Sequence, residues 1–351
     1  MMSFRGRKLA TEPIPMNIAQ LVGKINEYKG MQQLFRQQSP QVLESLSEVA
    51  AVQSTESSNR IEGIEVPTGK LSALMADRAA PQNRPEGEIA GYRDVLATIH
   101  ASHEHIPVTP NTILQFHRDL FRYVPSEGGR WKSVDNTIDD VLPDGTHSVR
   151  FRPVGAVATP RAVEELCSHL KQHRQDEDVD PLLLGGAFVF DFLCIHPFRD
   201  GNGRLSRLLA LLLLYSGGYE VGRYISLERI IEKSKESYYG ALAMSSEGWH
   251  DAKHSLLPWW EYHLGVILSA YREFERRVGV VQNGRGAKSA MVRESVANMV
   301  GDFSVTELME LCPTVSRDMV RTVLERMRDE GVVQCNGTGR SARWQKVESQ
   351  L

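Results

Sequence analysis

The sequence predicts an all-α protein, and three observations lead to this fold class. Residues 182–195 are almost wholly apolar and form a run long enough for a buried helix rather than a strand. Residues 204–218 follow as a second helix that ends at paired glycines. The 351 residues include 41% hydrophobic and 24% charged residues, as in ordinary globular proteins, so the chain has enough apolar surface to bury such helices.

Taken in order, the chain divides into three predicted units. The first is mostly helical and ends near His100, His103 and His105, which we expect to decorate a helix end because no partner at metal-ligand spacing accompanies them. The second carries the chemistry, and a glycine-containing linker at 278–287 separates it from the third. The predicted bounds of the units are 1–105, 106–278 and 288–351.

One short β-hairpin is predicted inside the second unit. A turn signal, Pro-Asp-Gly-Thr at 143–146, lies between two β-type runs at 134–138 and 148–152. The sequence therefore predicts an antiparallel hairpin in an otherwise helical region.

The most informative segment is HPFRDGNGRLSR at 196–207, between the two predicted helices. Its Gly-Asn-Gly turn at 201–203 precedes a helix N-terminus, where free N–H groups and the helix dipole favour an anion. Arg204 and Arg207 share one face of the first helical turn, which is unfavourable unless a polyanion binds there. The segment therefore indicates a phosphate site.

This segment also contains a titratable base, His196, and a carboxylate, Asp200. Together with the turn and the cations, these are the groups that phosphoryl or nucleotidyl transfer requires. The pattern is not a dinucleotide-binding fingerprint, because it lacks the third glycine and the preceding strand, and no Gly-Lys-Ser/Thr follows as in a Walker A loop. The structural alternative is a core histidine beside an ordinary turn.

The segment resembles the signature of the Fic family, HxFx(D/E)GNGRxxR, at every defining position. Fic proteins typically transfer AMP from ATP to a hydroxyl side chain of a target protein. The resemblance implies that His196 is the general base that takes the proton from a Ser, Thr or Tyr hydroxyl. It also implies that Phe198 fixes the loop from the core and that Asp200 holds Mg²⁺.

The same resemblance implies how the phosphates of ATP are bound. Gly201, Asn202 and Gly203 would cradle them, and Arg204 and Arg207 would hold the β- and γ-phosphates through their planar guanidinium groups.

The resemblance further implies a tyrosine in the adenine pocket, and KESYYGAL offers Tyr238 and Tyr239 without deciding between them. Many relatives carry an Asn near the adenine, where this chain has Leu-Leu-Pro-Trp-Trp at 256–260. This departure leaves a strict preference for ATP open.

An upstream segment, Ser58-Asn-Arg-Ile-Glu62-Gly63, resembles the inhibitory motif (S/T)xxxE(G/N) of class II Fic proteins. Ser58 and Glu62 are four residues apart and share a helix face, and Gly63 suits the position after a helix. The resemblance implies that Glu62 pairs with Arg207 in place of the γ-phosphate, so that ATP binds poorly. The alternative for Glu62 is a solvated helix charge.

In Fic proteins a hairpin called the flap clamps the target segment by β-augmentation. The resemblance therefore implies that a target protein, or another part of this protein in self-modification, docks at residues 134–152. A plain surface hairpin is the alternative.

The third unit has the order helix, helix–turn–helix and hairpin, which resembles a winged helix-turn-helix domain. Arg317 and Arg321 lie on the second helix of the pair, and Arg340 and Arg343 lie in the wing, where DNA binding needs cations. Acidic residues are about as numerous as basic ones, so DNA binding and protein contact through 288–351 are both left open.

Bulk properties exclude several classes of protein. The net charge of −3 argues against a strongly basic nucleic-acid binder. The four cysteines lack CxxC spacing, so the sequence indicates neither a zinc site nor a disulfide framework. The first residues lack the apolar core of a signal peptide, and the leucine-rich run at 208–214 is too short to span a membrane. We therefore expect a cytoplasmic protein with no membrane partner, and a homodimer is left open.

The sequence predicts a protein adenylyltransferase that uses ATP and Mg²⁺ and is autoinhibited by Glu62. One rival function is a different transfer at the same site, such as UMP or phosphocholine transfer, or removal of AMP with Glu62 positioning a water molecule. Phosphate transfer is disfavoured because Gly203 stands where kinase-like relatives carry Lys. A nucleotide-sensing DNA-binding regulator and an interaction module without chemistry are two further rival functions.

Overall fold

The computed structural model describes residues 2–6, 8–38, 40–76, 78–125, 128–141, 146–282, 287–299, 301–312, 315–337 and 342–347. Within these residues the chain forms fifteen α-helices and four short strands, so the predicted mainly helical fold is confirmed.

The N-terminal region contributes five helices, of which the third and fifth flank the site. They are α1 (Lys8–Thr11), α2 (Met16–Gln38), α3 (Pro40–Ile61), α4 (Thr68–Met75) and α5 (Arg84–Ser102). The central unit contributes seven helices and one hairpin around a single large apolar core. They are α6 (Pro110–Leu120), β1 (Ile138–Val141), β2 (His147–Phe151), α7 (Thr159–Asp176), α8 (Pro181–Ile195), α9 (Asn202–Ser216), α10 (Leu227–Lys233), α11 (Lys235–Ser246) and α12 (Leu257–Gln282).

Helix α8 is the buried centre of this unit, as its apolar sequence predicts. Asp180 caps its first turn by accepting a hydrogen bond from the backbone N–H of Leu182 at 2.8 Å, and Pro181 occupies the first helical position. Almost every side chain of the helix is buried, and α9 packs directly against it. The loop between them, which carries the motif, is therefore anchored at both ends.

The longest helices, α12 and α2, lie against each other along one side of the core. Neither of them, nor any other helix in the described ranges, is long and apolar enough to cross a membrane.

The predicted hairpin is present, with a shifted first strand. Strands β1 and β2 pair antiparallel, with Asp140 opposite Ser148. The prediction placed the first strand at 134–138, but it begins only at Ile138, because polar groups just before it bind elsewhere: Asn136 donates to Phe198 O, and Asp135 accepts from the backbone N–H of Ala156. Most of the predicted turn at 143–146 lies outside the described residues.

The C-terminal region has an apolar core of its own, which includes Phe303, Leu324 and Trp344. Its elements are α13 (Ala287–Asn298), α14 (Val305–Leu311), α15 (Arg317–Asp329), β3 (Val333–Asn336) and β4 (Arg343–Lys346). Strands β3 and β4 form an antiparallel pair, and Phe303 extends it through a bridge to Trp344.

The boundary before this region differs from the predicted linker at 278–287. Helix α12 continues through the first half of that stretch to Gln282, and residues 283–286 lie outside the described part. The C-terminal region also touches the rest of the molecule: α13 packs on α12, α14 packs on α3, and Arg277 pairs with Glu294 at 3.2 Å. The C-terminal region thus has a separate apolar core, but it is in contact with the rest of the molecule.

Candidate active site

The loop between α8 and α9 holds the predicted catalytic segment in a fixed shape. His196 ends α8 in the left-handed region, with φ 50° and ψ 61°, and Gly201 precedes α9 with φ 79°. The Asn202 amide closes the loop, since its Oδ1 accepts from Phe198 N at 2.9 Å and its Nδ2 donates to Phe198 O at 2.8 Å. Asn202 therefore closes the loop. The sequence had predicted only that it binds phosphate.

An aromatic stack supports the loop from behind. Phe198 is fully buried, as predicted, and its ring stacks on that of His117 with centroids 3.7 Å apart, while Trp131 lies 5.1 Å away. Burial lowers the pKa of His117 to about 4, so its ring is neutral at pH 7. Because His117 Nδ1 accepts from Gly129 N at 2.8 Å, its Nε2–H donates to Asp200 O at 3.1 Å.

A cavity of about 700 Å³ opens beside this loop and under the hairpin. Its lining includes most of the predicted site, namely Glu62, His196, Asp200, Gly201, Asn202, Gly203, Tyr238 and Tyr239. Apolar side chains from α8 and α11 close its far side, namely Phe190, Leu193, Cys194 and Leu242. The size and lining suit a nucleotide-sized ligand.

His196 lies in the cavity wall with its proton state and its tautomer defined. Burial lowers the pKa of its imidazole to about 4, so the ring is neutral at pH 7. Its Nδ1 lies 3.3 Å from Leu193 O and donates to it, which leaves Nε2 as a proton acceptor. A neutral imidazole with a free Nε2 is the form that a general base requires.

Asp200 is an exposed carboxylate directly before the glycine turn of the site. Its Oδ1 accepts from Gly201 N at 2.6 Å, and its Oδ2 accepts from Arg84 Nη2 at 2.7 Å. A single exposed carboxylate beside a phosphate-type turn fits Mg²⁺, which usually takes one or two carboxylates together with substrate phosphates. In the structure this carboxylate forms an ion pair with Arg84, a residue that no sequence motif indicated.

Arg204 does not line the cavity, although the resemblance implied that it holds the β-phosphate. It is only 1% exposed, pairs with Glu88 of α5, and lies over the ring of Phe121 at 5.2 Å. Its Nη2 is 3.5 Å from Asp200 Oδ1, so it contributes positive charge to the loop from below. No local sequence signal linked Arg204 to Glu88, which is 116 positions away.

Arg207 is joined to the upstream motif. Its Nε donates to Ser58 Oγ at 2.8 Å, and its Nη2 donates both to Ser58 O and to Glu62 Oε1 at 2.8 Å. Burial, the largest single influence, would lower the pKa of Arg207, but Glu62 together with Tyr238 and Tyr92 raises it above its ordinary range. The predicted pairing of Glu62 with Arg207 is present in the structure.

The local backbone explains how Glu62 reaches Arg207. Helix α3 ends at Ile61, so Glu62 is the first residue beyond the helix rather than part of it, and Gly63 turns the chain with φ 77°. The Glu62 side chain remains 31% exposed, while Ser58 is fully buried. A methyl group on Gly203 would overlap Oε1 of Glu62, so a glycine at that position leaves room for the carboxylate.

Both candidate tyrosines line the cavity, and they differ in burial. Tyr238 is 3% exposed and packs edge-on against Trp259, at 5.9 Å between ring centroids. Tyr239 is less buried and lies beneath Arg150 of β2, whose guanidinium is 5.7 Å from the ring centre. Arg150, Asp139 and Arg199 are further charged residues of the cavity that no sequence motif indicated.

One protein-family model matches the part of the chain that contains the catalytic loop. The model of the Fic/DOC family matches residues 107–214, which include the whole loop. A protein adenylyltransferase Fic of Drosophila grimshawi is 27% identical over 194 residues, which are 54% of this chain and 36% of that protein. The corresponding protein of Drosophila melanogaster is 28% identical over 194 residues, with the same coverage. The alignment thus spans about a third of the length of these curated relatives.

Solved structures share the fold. A crystal structure of a Fic family protein from Desulfovibrio desulfuricans G20 superposes with a TM-score of 0.60 and 20% identity, covering 97% of this chain and 98% of the other. A Fic domain containing signaling protein from Bacteroides thetaiotaomicron gives a TM-score of 0.59 and 20% identity, covering 77% of this chain and all of the other. At these identities the likeness concerns the fold alone.

Proposed function

We propose that this protein transfers AMP from ATP to a hydroxyl group of a protein, either a separate target or itself. The observation that carries the proposal is the neutral His196, whose Nε2 is free to accept a proton in a cavity that is next to an anion-binding helix N-terminus. The similarity to proteins named adenylyltransferase supports the nucleotidyl group as the one transferred.

The proposed reaction is a substitution at the α-phosphorus of ATP. The target hydroxyl oxygen forms the new bond to phosphorus, its proton passes to Nε2 of His196, and the bond to the β-phosphate breaks so that pyrophosphate leaves. General-base catalysis of this kind contributes a factor of about 10² to 10⁴ in rate. The proton that His196 takes up can then leave with the product or to solvent.

The nucleotide is proposed to lie with its phosphates on the turn at 201–203 and its base between α8 and α11. Backbone N–H groups at the start of α9 would bind the phosphates, and Asp200 would hold Mg²⁺, which when bound neutralises phosphate charge. Tyr239 is the better candidate for contact with the base, because Tyr238 is buried against Trp259.

Glu62 is proposed to inhibit this reaction. Its carboxylate binds the guanidinium of Arg207, which the γ-phosphate would otherwise use. Because one guanidinium edge cannot serve two anions, ATP binding in the productive pose requires Glu62 to leave. Because Arg207 is buried, its charge is left uncompensated when Glu62 leaves unless another anion such as the γ-phosphate takes its place.

The target segment is proposed to dock along the flap at residues 134–152, where β1 forms one wall of the cavity. Ile138 and Asp139 line the cavity, so a chain paired with β1 would pass close to His196. Val134, 75% exposed, and Val149, 45% exposed, offer apolar contacts beside that edge.

The C-terminal region is proposed to be a winged helix-turn-helix module that binds DNA or a protein. Arg317 and Arg321 are exposed on α15, and neither has an ion-pair partner among the residues that the structure describes. Arg343 differs from them, because it bonds to Asp302 at 3.0 Å and to Glu307 at 3.1 Å and so joins parts of the module. Arg340 lies outside the described residues.

The transfer is tested with ATP labelled at either the α- or the γ-phosphate. Glu62→Gly protein is incubated with each nucleotide and Mg²⁺, with His196→Ala in the same background as control. Label from the α-phosphate alone, absent in the double variant, supports AMP transfer. Label from the γ-phosphate would indicate phosphate transfer instead, and label from neither would contradict self-modification.

A further inference from the structure

One residue holds the backbone on both sides of His196. The backbone N–H of Lys132 donates to Pro197 O at 2.9 Å, and its ammonium Nζ donates to Ile195 O at 3.1 Å. Lys132 lies in the segment before the hairpin, 64 positions from His196 in sequence, and is 6% exposed. Its two carbonyl partners are the neighbours of the candidate base.

The backbone of His196 needs such support. A non-glycine residue in the left-handed region costs about 1–3 kcal/mol and persists only where its surroundings fix it. Helix α8 ends here, so its last carbonyls lack partners within the helix. Lys132 supplies a donor to one of these carbonyls, and a positive charge at a helix C-terminus is favourable.

The ammonium group of Lys132 donates hydrogen bonds to uncharged oxygen atoms. The described hydrogen bonds of its Nζ go to Ile195 O and, at 2.7 Å, to Asn136 Oδ1. Burial lowers the pKa of Lys132 to about 8, and Asp135 partly offsets that effect. The ammonium group is therefore charged at pH 7.

Several charged groups surround the His196 ring from different elements. Burial is the largest cause of its lowered pKa, Lys132 lowers it further, and Glu62 and Asp200 raise it. The remaining charged residues of the cavity wall are Asp139 and Arg150 from the hairpin, Arg199 from the loop and Glu236 from α11. Among these, Lys132 combines an effect on the ring with hydrogen bonds to the flanking backbone.

We propose that Lys132 is a positioning residue for His196, holding the backbone on both sides of the base and placing a positive charge beside its imidazole. The role of His196 as base rests on the proposed function, but the effect of Lys132 on its ring does not. The geometry gives Lys132 two separable contributions, one made by hydrogen bonding and one made by charge.

The experiment follows the His196 imidazole by NMR in the full-length protein with carbon-13-labelled histidine, the signal being assigned by its loss in His196→Ala. The test pair is Lys132→Gln, which keeps a donor for Ile195 O but loses the charge, and Lys132→Arg, which keeps both. The account predicts that Lys132→Gln raises the pKa of His196, because a positive charge that disfavours the imidazolium is lost. Lys132→Arg should leave it within a few tenths of a unit of the parent value. Equal titration curves for the folded Gln and Arg variants would overturn the charge contribution. Lys132→Met lacks both the charge and the side-chain donor to Ile195 O, and an unchanged His196 signal and titration curve in folded Lys132→Met would overturn the whole proposal.

A second measurement, the pH dependence of the transfer rate, distinguishes failure of the Lys132 role from failure of the proposed function. In the Glu62→Gly background, loss of the charge should move the acid limb of the transfer rate to higher pH, because a base with a raised pKa becomes protonated earlier as the pH falls. If no transfer occurs in any variant, the proposed function fails while the NMR comparison still decides the role of Lys132. If transfer occurs and Lys132→Met, which has neither the donor nor the charge, titrates like Lys132→Arg, the positioning role fails alone.

Discussion

Gly203 and Glu62 fit together in the structure, since the space that a side chain at Gly203 would need is filled by Oε1 of Glu62. The same oxygen accepts from Arg207 Nη2 at 2.8 Å. A glycine in the phosphate-binding turn is thus also what admits the inhibitory carboxylate. This relationship ties the upstream motif to the loop through shape as well as through charge.

The first prediction concerns Gly203→Ala. Gly203 lies in the first turn of α9, where Ala would normally stabilise a helix by about 0.5–1 kcal/mol. In the parent, the added methyl group should instead push Glu62 away from Arg207 and lower the free energy of unfolding. In the Glu62→Gly background the clash is absent, and Gly203→Ala should be neutral or stabilising.

Denaturant unfolding of the four proteins in this cycle measures the coupling, which we expect to be roughly 1 kcal/mol or more. Gly240→Ala is the matched control, because a methyl group at that helical glycine meets open space. Effects of Gly203→Ala that are the same with and without Glu62 would contradict the shared space.

The second prediction concerns Asp200→Asn. Losing the charge should weaken Mg²⁺ binding, so the activity of the Glu62→Gly protein should require a higher Mg²⁺ concentration. A Mg²⁺ titration of AMP transfer measures this shift, with Asp176→Asn, an exposed carboxylate at the end of α7, as control. A titration midpoint that stays at the parent value would remove Asp200 as the metal ligand.

The third prediction concerns His196→Ala. Loss of the base should reduce transfer by a factor of about 10² to 10⁴. ATP binding should remain close to that of the Glu62→Gly protein, since the imidazole is assigned to the target hydroxyl rather than to the phosphates. Calorimetry and label transfer are measured side by side, with the exposed His105→Ala as control. Transfer at an undiminished rate would show that another group takes the proton.

The fourth prediction concerns the exposed arginines of α15. If the C-terminal region binds DNA, Arg317→Ala with Arg321→Ala should weaken duplex binding and reduce its dependence on salt. Arg328→Ala, which removes a charge near the other end of α15, is the control. Arg343→Ala should instead lower the stability of the region, because Arg343 bonds to Asp302 and Glu307. If the full chain shows no duplex binding at low salt, the protein-contact alternative is favoured.

The motif and its helical frame could be predicted from the sequence, because both depend on local patterns. The apolar run of α8, the glycine turn and the spacing between Ser58 and Glu62 are all visible within a few residues. The glycine-containing stretch at 278–287 likewise indicated a separate C-terminal unit, and the structure gives that unit its own apolar core. The stretch did not show that α12 continues to Gln282.

The supporting contacts could not be predicted, because each joins residues far apart in sequence. Lys132 with the backbone around His196, and Glu88 with Arg204, meet only when the chain has folded. The predicted first strand was wrong for a related reason: the side-chain amide of Asn136 donates to Phe198 O and so ties this stretch to the loop, and pairing with β2 begins only at Ile138. The local sequence pattern thus identifies the candidate reacting groups, whereas the residues that support them are brought near only by tertiary packing.

The most direct test of the central claim is the intact mass of the protein after incubation with ATP and Mg²⁺. The parent, Glu62→Gly and Glu65→Gly proteins are compared, since Glu65 is an exposed carboxylate close to Glu62 in the same segment. The account predicts that Glu62→Gly gains the mass of one or more AMP groups, while the parent and Glu65→Gly gain little or none. Equal masses for Glu62→Gly and the parent would contradict self-modification released by loss of Glu62, and a gain equal to a phosphate group would contradict AMP transfer.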